Sequence, residues 1–178
     1  MLPTVRRRWA PRGCTPLIRH RYQRDKISAI SALTVSPQRH RCGLYMHFHF
    51  VNISRVEVAI FLRGLLRHVR GRLIVLWDGN TIHAGPEVEA VLARHPRLQV
   101  ERFPTYAPEL NPDELVWNHL KTRLANASFD TGDLLLDALT QVTRELRVGA
   151  GPAAGLRPGH GTAAAFFALR FYYLCNGQ

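Results

Sequence analysis

The sequence predicts an α/β fold, a mixed sheet flanked by helices, and three observations carry that expectation. Residues 73–77 (LIVLW) form an apolar run bounded by Gly71 and Gly79. So short and so apolar a run suits a strand buried on both faces. Two upstream segments, 26–35 (KISAISALTV) and 44–51 (LYMHFHFV), are rich in β-branched and aromatic residues and read as strands. Between and after these segments, apolar residues recur at helical spacing. A chain of 178 residues can bury one sizeable core.

Taken in order, residues 1–24 are basic and irregular. Arg6, Arg7, Arg8 and Arg12 surround Trp9, which is expected to pack against the sheet, with stacking on a base as its other use. The turn Ser36-Pro37-Gln38-Arg39 joins the first two strands, which should pair antiparallel. His47 and His49 fall on one face of the second strand. They read as a plain strand face, since nothing nearby completes a metal site. Ser54 and Glu57 have capping-box spacing. Val58, Phe61, Leu62, Leu65 and Val69 then line one side of a helix that Gly71 should end.

A short helix over 87–94 follows Pro86, and 98–103 (LQVERF) is a further strand. Asn111 is a good N-cap and Pro112 a good first helical residue, so a helix is expected over 112–124. Asp130 or Thr131 should cap the next helix, with Leu135, Leu139, Val142 and Leu146 turned inward. Residues 148–165 are rich in Gly, Ala and Pro and read as a linker. The apolar segment 166–174 (FFALRFYYL) is expected to dock as a terminal helix within a 166–178 tail, leaving 1–147 as the folded domain.

The charge is lopsided. Residues 1–77 hold 15 Lys and Arg against two acids, Asp25 and Glu57, and the whole chain carries a formal net charge of +11. A basic first half suits a polyanion, most simply nucleic acid. The bland alternative is a solvated Arg-rich surface. Three scattered cysteines make neither a disulfide framework nor a zinc site. The sequence shows no apolar stretch of signal-peptide or membrane-spanning type. The expected setting is cytoplasmic, at the nucleoid, with no membrane partner.

Two carboxylates stand out. Asp78 follows the buried run 73–77, at the end of a strand where open α/β sheets place ligands. His83, five residues on, can point back at the same place. Glu114 lies in the first turn of the 112–124 helix, beside Asp113. Either acid alone is easily a turn residue or capping decoration. Together WDGNTIH and YAPELNPDELVW resemble the signature of mariner-superfamily DDE transposases, bacterial insertion-sequence branch. The resemblance implies that Asp78 is the second catalytic acid and Glu114 the third. Asp113 holds the variable position, and Asn80, His83 and Asn111 are accessory. It implies an RNase H-like fold and metal-dependent DNA cleavage and strand transfer. It also implies two Mg²⁺ or Mn²⁺ ions held by Asp78 and Glu114, and DNA partners in the form of transposon ends and target. A homodimer is expected because ends are processed in pairs. Hard carboxylate oxygens on rigid elements suit two such ions.

The first acid of that family lies on the first, central strand of the sheet. Here VRRRWAPRGCTPLIRHR resembles the stretch that follows that acid, so the chain reads as a portion starting just after the first strand. FYYLCNGQ resembles the usual end of the same branch, whereas the Gly/Ala-rich stretch before it departs from the pattern. Upstream of Asp78 only Asp25 and Glu57 are available, and Glu57 is better explained as a cap. The chain is therefore expected to be catalytically incomplete and, with its central strand missing, marginally folded. Two alternatives stay open: a non-catalytic DNA-binding remnant that relies on Arg6, Arg7, Arg8 and Arg12, and a stand-alone RNase H-like nuclease that recruits Asp25.

Overall fold

The computed structural model describes residues 6–7, 9–14, 26–36, 41–77, 83–104, 110–149 and 164–175, the last of these in their main chain. The elements run β1 (Lys26–Ser36), β2 (Arg41–His49), α1 (Arg55–His68), β3 (Arg72–Trp77), α2 (Pro86–Arg94), β4 (Leu98–Arg102), α3 (Asp113–Arg123), α4 (Gly132–Gly149) and β5 (Ala164–Cys175). Every strand and helix expected between residues 26 and 147 is present, with ends displaced by at most three residues.

Alternation along β1 builds two cores. Ile30 and Ala32 point to the face covered by α1 and α2, where they meet Phe61, Leu62, Leu73, Val75 and Val88. Ile27 and Ala29 point the other way, towards α3 and α4, against Trp117, Leu120, Leu135 and Leu139. This period-two division is what a strand covered on both faces requires.

The capping box is formed. Ser54 Oγ accepts from the Val56 N–H at 3.2 Å, and Glu57 Oε2 accepts from the Ser54 N–H at 2.7 Å. Glu57 is therefore a cap, as its spacing suggested. Its carboxyl is held below the usual range first by the Ser54 hydroxyl and then by the Ser54 backbone. A depressed carboxyl contributes stability above its unfolded pKa and loses it as pH falls through the folded value. Ser54→Ala should cost about 1 kcal/mol at pH 7. Thermal melts at pH 7 and pH 3 should show a smaller acid-induced loss in the variant than in the wild type; equal losses would mean that the cap carries no pH dependence.

The sheet order is β2-β1-β5-β3-β4. β1 pairs antiparallel with β2 and with β5, and β3 pairs parallel with β5 and with β4. This corrects two expectations. Residues 166–174 are not a terminal helix but part of β5, and the centre of the sheet is not empty. β5 fills it, pairing from Lys26↔Cys175 to Val35↔Phe166 on one side and from Arg72↔Ala164 to Trp77↔Leu169 on the other. The physical reason is that a Phe- and Tyr-rich segment between two open strand edges satisfies two rows of backbone groups at once, which a helix there could not do. The expected marginal folding rested on those edges being unpaired, and they are paired. α4 also runs two residues into the expected linker; residues 150–163 lie outside the described residues.

Candidate functional site

β3 ends at Trp77, which is buried, as are Leu73 and Val75 before it. Asp78 and Asn80 follow directly and lie outside the described residues. His83 is described. It is buried, and its ring stacks on Trp77 with centroids 4.6 Å apart and planes 13° from parallel. His83 thus sits against the last residue of β3.

The second piece is the start of α3. The helix begins at Asp113, with Pro112 as its cap residue, one position later than expected. Asn111 still does capping work, since its buried Oδ1 accepts from the Asp113 N–H at 3.0 Å. Glu114 is half-buried in this first turn, and its N–H donates to the Asn111 carbonyl at 3.1 Å. The helix N-terminus favours a negative charge there.

Asp113 behaves differently from its neighbour. It is fully buried, and its Oδ2 accepts from Ser31 Oγ at 2.5 Å and from Trp117 Nε1 at 3.1 Å. The same indole N–H reaches Ser31 Oγ at 2.9 Å. Asp113 and Trp117 are four residues apart, so both fall on the helix face that meets β1. This triad fixes the first turn of α3 to β1, two strand spacings or about 10 Å from β3. Sequence reading treated Asp113 as a variable neighbour of Glu114. The Asp–x–x–x–Trp spacing was the signal for its buried role.

The basic N-terminal stretch is placed in part. Arg6, Arg7 and Arg12 are exposed, and Arg8 lies outside the described residues. The Arg6 backbone is tied to the loop after α3: its N–H donates to Asn126 Oδ1 and its carbonyl accepts from Asn126 Nδ2, each at 2.8 Å. Trp9 is fully exposed rather than packed on the sheet. Asp25 lies outside the described residues.

A mixed sheet covered by helices, with an acid-bearing helix turn fixed to β1, is consistent with a nuclease fold. The family model for the DDE superfamily endonucleases matches residues 2–136, and the chain belongs to that family. No curated protein matches the chain. The matched region runs from the basic stretch into α4, so β5 lies outside it. Enzymes of this family act on DNA and generally use divalent metal ions. The carboxylates of Asp78 and Glu114 have the right hard-oxygen chemistry. Among the described residues, however, no three His, Cys, Asp or Glu side chains come together as a metal site. The strand at the centre of the sheet, AAFFALRFYYLC, brings no acid at all. No helix among the described residues is long and apolar enough to cross a membrane.

Proposed function

We propose that this chain is the DNA-processing domain of a transposase of the mariner superfamily, bacterial insertion-sequence branch, with an RNase H-like sheet and an incomplete set of catalytic acids. The observation that carries the reading is the paired signature, WDGNTIH directly after β3 and LNPDELVW opening α3, inside the region that matches the family. In the complete family site, Mg²⁺ or Mn²⁺ would activate the attacking oxygen and stabilise the leaving oxygen. Asp78 and Glu114 are the residues here that would hold such ions.

The uses of the other acids support the incompleteness. Glu57 is committed to the Ser54 cap and Asp113 to Ser31 and Trp117. The central slot, where the family's first acid belongs, holds β5, and Leu169 is the residue that pairs with Trp77. What remains is DNA binding, with Arg6, Arg7 and Arg12 exposed and Trp9 free of the core.

The test is supercoiled-plasmid nicking with Mn²⁺, beside gel retardation, for wild type, Asp78→Ala, Glu114→Ala and Asp25→Ala. Retardation that weakens steeply with salt, without nicking above background, is the expected result. Nicking that both Asp78→Ala and Glu114→Ala abolish would show a complete site and overturn the incompleteness. Loss in Asp25→Ala as well would identify the third acid. Absence of any retardation would sink the DNA reading.

A further inference from the structure

A groove of about 430 Å³ lies between the outer strand β2 and one side of α1. Its polar lining is cationic or imidazole: His47 from β2, and Arg63, Arg67 and His68 from α1, with no carboxylate among the lining residues. Arg63 and Arg67 are four residues apart on an exposed helix face and so project side by side. His68 Nδ1 lies 2.8 Å from the Gly64 carbonyl. A carbonyl can only accept, so Nδ1 carries the proton and Nε2 is left for another partner. The His47 ring stands edge-on to Phe61, with centroids 5.2 Å apart, which fixes its direction at the groove wall. Gly64 leaves the middle open, since a Cβ built there meets nothing within 4 Å.

Charge and shape together suit a phosphate, and the position suits a phosphate that belongs to DNA. His47 pairs with Ile30, and Ile30 with Phe171. Phe171 lies two residues beyond Leu169, the partner of Trp77. His47 is therefore level with the carboxyl end of β3. It stands three strand spacings away, about 14 Å. A duplex crosses that distance in about four base-pair steps.

We infer that the groove between β2 and α1 is a phosphodiester site that grips the DNA backbone beside the carboxyl end of β3, an inference that rests on the DNA reading above. The two arginines supply fixed charge, and His47 adds a donor that strengthens as it protonates. Burial, and then the neighbouring His49, Arg147 and His68, hold His47 below its ordinary pKa. Arg63 and Arg67 stand beside it in the groove, while the nearest acid of α1, Glu57, is committed to its cap. Tyr45, on the same face of β2, packs against His68 with centroids 5.8 Å apart. An incoming phosphate reverses the balance at His47, so binding takes up a proton and tightens as pH falls from 7.5 to 5.5.

The experiment pairs duplex binding by fluorescence polarisation with an inorganic phosphate titration followed on the His47 and His68 ring resonances. The variants are Arg63→Gln/Arg67→Gln, Gly64→Leu and His47→Gln, each with its fold checked by circular dichroism. Gly64→Leu fills the groove and leaves every charge in place. The double arginine variant should bind duplex at least tenfold more weakly, with a salt slope smaller by about two. Gly64→Leu should weaken binding to a similar extent. The pH-dependent gain should vanish in His47→Gln, and phosphate should shift the two histidines only in proteins whose groove is intact. Wild-type affinity in Gly64→Leu overturns the site even if the arginine variant weakens, because charge alone then explains the loss. In that case the DNA reading survives. A wild-type protein that binds no duplex, while phosphate still shifts the histidines, overturns DNA as the occupant and the DNA reading with it.

Discussion

Placing proline at Ala168 should destabilise the whole domain rather than loosen only its C-terminus. Ala168 pairs with Leu33 of β1 on one side and with Leu76 of β3 on the other. Proline removes the backbone donor and is excluded from strands paired on both sides. The cost should be about 3 kcal/mol or more. That is a large part of the total of roughly 5–15 kcal/mol that holds a typical domain together. The effect should reach far in sequence. Buried Ile27, Ala29 and Ile30 of β1 and Leu73 and Val75 of β3 would all flank a broken ladder. Urea unfolding gives the midpoint, and amide exchange should show protection lost in β1 and β3 together. Removing residues 164–178 should be worse still, leaving two open strand edges that recruit other chains. A truncated protein with an unchanged urea midpoint would show that β5 is dispensable and that the sheet is held by its two halves alone.

The same strand marks where sequence reading stopped. Residues 26 to 147 announce themselves locally. Ser54 and Glu57 carry their cap in their spacing, and Leu135, Leu139 and Val142 show their helical face. Nothing in FFALRFYYL distinguishes a strand from a short buried helix, because both are apolar throughout. The decision is made by β1 and β3, more than ninety residues upstream, whose open edges accept a strand and not a helix. The family resemblance implies a first strand before residue 26, whereas β5 fills the central slot from the other end of the chain. The groove at His47 was missed for a related reason. Within one strand His47 and His49 read as a plain strand face, and the partners that matter, Arg63, Arg67 and His68, come from the next helix.

The largest single-residue effect around the candidate site should come from Trp117→Ala. The indole is fully buried in the core formed by Ala29, Leu44, Met46, Leu120 and Val142. Losing it should cost about 3–5 kcal/mol in transfer and cavity terms. It also takes one donor from the buried Asp113 carboxylate, which Ser31 and Trp117 both serve. Trp117→Phe keeps an aromatic ring in the core but removes that N–H and part of the ring system, so its cost should be at least the hydrogen bond's about 1.5–3 kcal/mol and below that of Trp117→Ala. Asp113→Ala should fall in the same range, because it strips Ser31 and Trp117 of their shared acceptor. Glu114→Ala, one residue along and half-buried, should stay within about 1 kcal/mol of wild type. Chemical denaturation of the four variants therefore separates an acid that holds α3 on the sheet from one that the fold does not depend on. Were Glu114→Ala the destabilised protein and Asp113→Ala the unaffected one, the two roles would have to be exchanged. The acid to pair with Asp78 would then be Asp113.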